Sequence, residues 1–164
     1  MPELQRLRAD HVPALLAFEQ ENRAFFAASV PDRGDDYFAH FDARLAALLA
    51  EQAAGICHFH VLVDTDGEVL GRFNLVDAAD GSAELGYRVA EKATGRGLAT
   101  ATVRRLCALA AEEYGLTTLR AETTLDNPAS QAVLTRAGFV PTGEELLLDG
   151  RPGIAYVRST AGEA

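Results

Sequence analysis

The first third of the chain carries apolar residues at helical spacing, after a short strand-like segment at residues 3–8. This spacing predicts one helix that begins at Asp10 as its N-cap and a second that begins at Asp36 and ends at Gly55. A loop containing Pro31 separates them. The two apolar stripes consist of Val12, Leu15, Phe18, Phe25 and Phe26, and of Phe38, Phe41, Leu45, Leu48 and Leu49.

The apolar period changes to two in ICHFHVLVD, which is typical of a strand. The turn DTDG joins this segment to EVLGRFNLV as a hairpin, and a third strand, AELGYRVA, follows the loop DAADGS. A helix, the strand TTLRAETT, the helix PASQAVLTRA and two strands near residues 139–148 and 154–158 complete the pattern. Because strand–helix–strand–helix follows a hairpin, we expect a mixed sheet with at least one parallel pair.

Composition narrows the class of protein. A chain of 164 residues with 48% hydrophobic content is long enough for one domain, predicted over residues 1–160 with a flexible tail at 161–164. No apolar run has the length of a signal sequence or a membrane span, so a soluble, cytoplasmic protein without a membrane partner is expected. The net charge of −9 argues against a nucleic-acid partner and favours cationic substrates.

The segment KATGRGLATATVRRL, from Lys92 to Leu106, places two glycines directly before a predicted helix. The first turn of a helix exposes backbone N–H groups and partial positive charge, and a glycine-rich loop lets a phosphate approach them. Lys92 and Arg96 would add charge to a pyrophosphate site. An isolated pair of glycines is more often a simple tight turn, and the sequence lacks the Gly-Lys-Ser/Thr of a P-loop and the third glycine of a dinucleotide fingerprint.

The glycine loop together with its flanking segments indicates a protein family more specifically than the two glycines alone. ELGYRVAEKATGRGLAT, a long helix and LRAETTLDNPASQAVLTRAGF, over Glu84–Phe139, together resemble the GNAT superfamily of acyl-CoA-dependent N-acetyltransferases, most closely its ribosomal-protein-alanine N-acetyltransferase-like (RimJ/RimL-like) branch. The resemblance implies an α/β (α+β) fold. It would be a single GNAT-like domain whose mixed, mostly antiparallel twisted sheet is splayed at a parallel pair and has helices on both faces. It also implies acetyl-CoA as co-substrate.

By this resemblance, Lys92, Gly95 and Gly97 match the family's pyrophosphate-binding pattern, although lysine departs from the usual Gln or Arg. The backbone amides expected to line the pyrophosphate are those of Arg96, Gly97, Leu98, Ala99 and Thr100. Tyr87 and Val89 would lie along the pantetheine arm, with the Val89 amide polarising the thioester carbonyl. An ordinary core strand is the alternative interpretation of LGYRV, and both can hold for the same residues.

Transfer to an amine needs a group that removes a proton, and Glu84, in the strand before the glycine loop, is the candidate base. A solvated strand carboxylate is an alternative of equal weight. By resemblance, Asn127 contacts the pantetheine, and Ser130 lies near the coenzyme sulfur, where it would assist the departing thiolate. Asn127 also fits a plain helix cap. Many relatives carry a tyrosine where this chain has Leu134, so the thiolate is assisted by Ser130 or leaves unassisted.

Other polar residues receive structural interpretations. His58 and His60 share one strand face without a third ligand at suitable spacing, so a polar outer face and no metal site are expected. Cys107 falls on an apolar helix face and is predicted to be a buried structural cysteine. Arg72 and Asn74 could orient a substrate or simply form a polar strand face.

The sequence therefore predicts an N-acetyltransferase that moves an acetyl group from acetyl-CoA directly to a primary amine. The first choice of acceptor is the α-amine of a protein or peptide, with basic protein N-termini among the candidates. Two alternatives stay open: acetylation of a small amine (aminoglycoside, polyamine or amino acid), and a non-catalytic acyl-CoA-binding sensor. A monomer or a homodimer is expected.

Overall fold

The computed structural model describes residues 2–160, so the tail predicted at 161–164 lies outside the described residues. The strands are β1 (Glu3–Arg6), β2 (His58–Val63), β3 (Val69–Ala79), β4 (Ser82–Val89), β5 (Thr118–Thr124), β6 (Val140–Leu148) and β7 (Arg151–Ser159). The helices are α1 (Val12–Glu21), α2 (Arg23–Ala27), α3 (Asp35–Ala39), α4 (Phe41–Ala53), α5 (Leu98–Glu112) and α6 (Pro128–Arg136). Short 3-10 helices lie at Ala9–His11 and Glu91–Ala93.

The seven strands form one mixed sheet in the order β1-β2-β3-β4-β5-β7-β6, which confirms the predicted sheet. The parallel pair is β4 and β5, in register from Ser82 opposite Thr118 to Leu85 opposite Ala121, and both strands continue beyond it. β1 pairs with β2, and β7 with both β5 and β6, in antiparallel fashion. Ligands of sheets with parallel strands bind outside the carboxyl ends of those strands.

The chain folds into two compact units, which within the described residues are 2–74 with 87–94, and 75–86 with 95–160. β3 and β4 pass from one unit into the other. Each unit buries its own apolar side chains, which is the main stabilising contribution to its fold. The first core includes Leu15, Phe18, Phe41, Leu45, Val61 and Phe73, and the second includes Leu75, Val103, Leu106, Leu119, Leu134 and Phe139.

The first predicted helix is divided in two at Asn22, where φ is −105°. The Asn22 side chain donates to the Phe18 carbonyl at 2.9 Å and accepts from the Glu91 amide at 3.0 Å. The second contact joins residues distant in sequence, so apolar spacing alone could not reveal the break. Asp10 is not the N-cap, since it lies inside the 3-10 helix and its carboxylate binds Arg8.

The second predicted helix is likewise interrupted, at His40, and gives α3 and α4. Its predicted end is confirmed, because Gly55 follows the last helical turn with φ +78°. The predicted loop DAADGS is mostly strand. β3 extends to Ala79, and the turn into β4 is made by Asp80 and Gly81, both with positive φ, as a type I′ hairpin turn requires.

No helix within residues 2–160 is both long and apolar enough to cross a lipid bilayer.

Candidate active site

The loop before α5 has the backbone conformation for which glycine is suited. Gly95 and Gly97 have φ angles of +76° and +74°, a region that larger residues rarely adopt. Gly97 is the N-cap of α5. At either glycine, an added Cβ would meet no heavy atom of residues 2–160 within 4 Å, chain neighbours aside. The loop is exposed, so a ligand can approach its backbone closely.

The first turn of α5 presents backbone donors. Its first hydrogen bond runs from the Ala101 amide to the Gly97 carbonyl at 3.1 Å, and no side chain among residues 2–160 caps this helix end. The three preceding amides, those of Leu98, Ala99 and Thr100, therefore point out of the helix at half-exposed positions. Since the helix dipole adds partial positive charge there, this end can bind a phosphate group.

The two predicted cations of this loop, Lys92 and Arg96, differ in their ion pairing. The Lys92 ammonium forms an ion pair with Glu68, in the turn between β2 and β3, and this hydrogen bond raises the pKa of Lys92. Within the described part of the chain, exposed Arg96 forms no ion pair. Arg96 is thus the side chain whose charge is available to an anion at the helix end, whereas the charge of Lys92 is already compensated.

In the strand β4, Tyr87 and Val89 are half-buried. The Tyr87 ring stacks on Phe73 of β3, with centroids 5.7 Å apart and planes at 10°. The next amide, of Ala90, donates to the Leu70 carbonyl at 2.8 Å. These contacts give the segment the character of a core strand, and its predicted role along the pantetheine arm stays a prediction.

Glu84 lies on β4 opposite Arg120 of β5 and is half-buried. Burial raises the pKa of its carboxyl, and the negative charge of Glu122, which shares a hydrogen bond with Glu84, raises it further. Arg120 opposes this shift. A carboxylate with a raised pKa accepts a proton from an amine more readily, so the environment suits a general base. Sequence reasoning missed Glu122 because the register of the two strands cannot be inferred from either strand alone.

Asn127 and Ser130 meet at the start of α6. The Asn127 side-chain oxygen accepts a hydrogen bond from the Ser130 amide at 3.1 Å, which confirms the predicted cap, and Pro128 occupies the first helical position. Leu134 is 1% exposed and belongs to the core of its unit. The position where many relatives carry a tyrosine is therefore filled by a packing residue here, and no hydroxyl is available from it.

The prediction of a polar outer face at His58 and His60 is wrong. Both side chains are buried, at 9% and 2% exposure, because β2 is an interior strand with both faces covered. The His60 ring donates from Nδ1 to the Phe73 carbonyl at 3.2 Å, and burial lowers the pKa of His60 to about 4. Neither histidine belongs to the group of side chains within residues 2–160 that lie close enough together to hold a metal ion, which comprises Asp64, Asp66 and Glu68.

Cys107 is fully buried on α5, as predicted, and burial raises the pKa of its thiol. Arg72, by contrast, does not lie on a solvated strand face. It is buried, and its guanidinium donates to Glu19 at 2.8 Å and to the Tyr37 hydroxyl at 3.0 Å. Sequence reasoning missed Glu19, because a glutamate within an amphipathic helix pattern is normally assigned to the solvent face. Asn74 is half-buried.

Comparison with known proteins shows similarity along most of the chain. The model of the acetyltransferase (GNAT) domain family matches residues 3–140. A candidate ribosomal N-acetyltransferase, YdaF of Bacillus subtilis (strain 168), is 35% identical over 81 residues, which are 48% of this chain and 44% of YdaF. The match thus spans less than half of that curated relative.

Solved structures share the fold at low sequence identity. Ribosomal-protein-S5-alanine acetyltransferase from Vibrio fischeri has a TM-score of 0.90 at 18% identity, over 99% of this chain and 95% of its own. RimJ of Mycobacterium smegmatis, solved with a CoA disulfide, has a TM-score of 0.84 at 24% identity, over 95% and 80%. Spermidine N-acetyltransferase from Vibrio cholerae has a TM-score of 0.77 at 14% identity, over 98% and 96%.

The family match covers far more than half of the chain, and it includes the glycine loop, the predicted base on β4 and the start of α6. This chain belongs to the acetyltransferase (GNAT) domain family.

Proposed function

We propose that this acetyltransferase uses acetyl-CoA as its donor and transfers the acetyl group directly to the α-amine of a protein or peptide, within one catalytic domain over residues 1–160. The observation that carries the donor assignment is the start of α5. Two glycines with positive φ precede three amides that point out of the helix end, in an exposed loop that also carries Arg96.

Acetyl-CoA supplies a thioester, and the chain's residues bind and orient the reactants. The amides of residues 96–100 would hold the pyrophosphate, with charge added by Arg96. The Val89 amide would donate to the thioester carbonyl oxygen, where negative charge develops. Glu84 would take the proton from the acceptor amine, directly or through water. Ser130 would donate a hydrogen bond to the departing sulfur.

Two similarities to known proteins favour the α-amine of a protein or peptide as the acceptor. YdaF, at 35% identity over its matched part, is described as a candidate ribosomal N-acetyltransferase. The fold is also that of the Vibrio fischeri ribosomal-protein-alanine enzyme over nearly the whole of both chains. A polyamine acceptor is the second candidate, since a spermidine acetyltransferase shares the fold, with a lower TM-score.

Calorimetry with acetyl-CoA tests the donor site. Gly97→Glu places a carboxylate where the pyrophosphate would lie, and we expect it to abolish binding. Gly115→Glu is the matched control, because Gly115, just beyond the other end of α5, also has a positive φ and open space around its Cβ position. Both variants carry a backbone strain of roughly 1–2 kcal/mol. Equal binding by wild type and Gly97→Glu would contradict the assignment.

Turnover separates an enzyme from a non-catalytic sensor. Release of coenzyme A thiol would be followed with short peptides bearing a free α-amine and with spermidine. Peptide-dependent release supports the proposed acceptor, whereas release with spermidine alone supports the polyamine alternative. A wild-type protein that binds acetyl-CoA and acetylates neither class of amine would instead favour the sensor.

A further inference from the structure

One carboxylate in the first unit is surrounded by three arginines. Glu19 of α1 is 1% exposed, and its Oε2 accepts from Arg72 at 2.8 Å. Its Oε1 accepts from Arg33, in the segment before α3, at 3.2 Å and from Arg88 of β4 at 3.4 Å. We define these four residues as the arginine cluster. They come from four different segments of the chain, so the cluster is a product of the tertiary fold.

The cluster carries more positive than negative charge. It contains three guanidinium groups and one carboxylate, which leaves a formal excess of two positive charges on a chain whose net charge is −9. The acids nearest in sequence to Arg33 do not compensate it, because Asp32 and Asp35 bind Arg23. Each guanidinium has five N–H donors, and Glu19 has only two oxygens to accept them. The cluster can therefore accept a further anion.

Two of the arginines can be reached from outside. The side chains of Arg33 and Arg88 are 30% and 22% exposed, whereas Arg72 is 6% exposed and serves to hold Glu19. Each accessible guanidinium is also stacked on an aromatic ring, Arg33 over Tyr37 at 4.6 Å and Arg88 over Phe26 at 4.9 Å. These contacts fix the two planar groups before any ligand binds, which lowers the entropic cost of binding.

The position of Arg88 relates the arginine cluster to the transfer reaction. Arg88 directly precedes Val89, whose amide is the proposed partner of the thioester carbonyl. Arg88 and the proposed partner of the thioester are thus adjacent residues of one strand. We propose that Arg33 and Arg88 bind a carboxylate of the acceptor, so that the preferred acceptor amine carries an acidic group nearby. This inference rests on the proposed function, and it reverses the expectation of a cationic acceptor drawn from net charge.

Carboxylates of this kind have two sources, an acidic side chain next to a peptide α-amine and the α-carboxylate of a free amino acid. The test uses amidated peptides with alanine first and aspartate, asparagine or lysine second, so that the side chain is their only carboxylate. Alanine and alaninamide form the second arm. We expect the aspartate peptide to have a kcat/KM at least about tenfold above that of the asparagine peptide, because a hydrogen bond to a charged group strengthens binding by this factor or more.

Variants of the arginine cluster test whether its side chains cause the preference for the aspartate peptide. Arg33→Gln and Arg88→Gln should bring the aspartate-to-asparagine ratio close to one through KM, while the KM for acetyl-CoA stays unchanged. Arg8→Gln, which removes an exposed arginine paired with Asp10, is the matched control and should keep the wild-type ratio. Because Arg88 is partly buried, thermal unfolding of each variant checks that it is folded.

A binding measurement keeps this inference distinguishable from the proposed function. Calorimetry would compare N-acetyl-Ala-Asp-amide with its asparagine analogue on the wild type, which requires no turnover. Tighter binding of the aspartate compound without acetylation of any amine would contradict the proposed function and leave the carboxylate site standing. Equal binding of the two compounds, or a raised acetyl-CoA KM in Arg33→Gln, would overturn the carboxylate site even in an active enzyme.

Discussion

The side-chain oxygen of Asn127 accepts a hydrogen bond from the Ser130 amide at 3.1 Å, and so joins the two residues at the start of α6 that are proposed to contact the coenzyme. The contact occupies one polar atom of Asn127 and leaves its amide nitrogen for another partner. The cap and a coenzyme contact are therefore compatible, and they can be separated by substitutions that change one atom of the side chain.

Asn127→Asp should keep the cap, and Asn127→Ala should lose it. We expect Asn127→Ala to lower the free energy of unfolding by about 1 kcal/mol, whereas Asn127→Asp should unfold like the wild type, since aspartate is an equally good N-cap. If the amide nitrogen donates to the pantetheine, Asn127→Asp should still weaken acetyl-CoA binding. Denaturant unfolding and calorimetry measure the two effects. Wild-type affinity in a stable Asn127→Asp variant would limit Asn127 to capping.

Removal of Glu122 should shift the acid limb of the pH–rate profile. Part of the raised pKa of Glu84 comes from the charge of Glu122, so Glu122→Gln should lower that pKa toward the ordinary value of 4.5. The unprotonated base then persists to lower pH, and kcat/KM should fall at a lower pH than in the wild type. Glu145→Gln, on exposed β6, is the control. An unmoved acid limb in Glu122→Gln would argue against Glu84 as the base.

Glu84→Gln should separate activity from stability. A carboxyl whose folded pKa is raised stabilises the fold most below its unfolded pKa and loses that contribution as pH rises through the folded value. The charged form of Glu84 beside Glu122 is thus unfavourable, so Glu84→Gln should unfold at pH 7 at the same temperature as the wild type or higher. Acetyl transfer should fall sharply while acetyl-CoA still binds. A lower melting temperature at pH 7 would contradict this account.

Acidification should destabilise the fold through His60. The unfolded histidine takes up a proton near pH 6.5, whereas the buried His60 does so only near its pKa of about 4. Its contribution is present above pH 6.5 and is lost as pH falls toward 4, and the difference corresponds to about 3 kcal/mol. His60→Gln should flatten this part of the stability–pH curve, measured by urea unfolding.

Gly153 of β7 should not tolerate alanine. An added Cβ would come within 2.7 Å of Leu148 Cδ1 and 3.0 Å of the Thr123 carbonyl oxygen. We expect Gly153→Ala to lower the free energy of unfolding by about 1–3 kcal/mol, as overpacking does. Gly86→Ala is the matched strand control, because nothing within residues 2–160 lies within 4 Å of its Cβ position, chain neighbours aside. Similar unfolding of both variants would contradict this packing argument.

Local sequence patterns were sufficient to predict most of the helices and strands and the glycine loop. The strand in ICHFHVLVD, the apolar stripe of α5 and the Asn127-Pro128 start of α6 each depend on residues close in sequence, and the structure confirms all three elements. The parallel pair was also predictable, because a strand followed by a helix and a further strand in one sheet has few alternatives. The motif that resembles the family likewise consists of residues that lie close together in the sequence.

The tertiary structure alone decided the electrostatic environment of the residues. That Glu84 lies beside Glu122 follows from the register of β4 and β5, and that His60 is buried follows from the interior position of β2 in the sheet. Glu19 meets Arg33, Arg72 and Arg88 because four segments distant in sequence converge. The sequence by itself therefore determined most of the elements and which family they indicate. Charge, burial and pKa depend on contacts between distant segments, and only the folded chain specifies those.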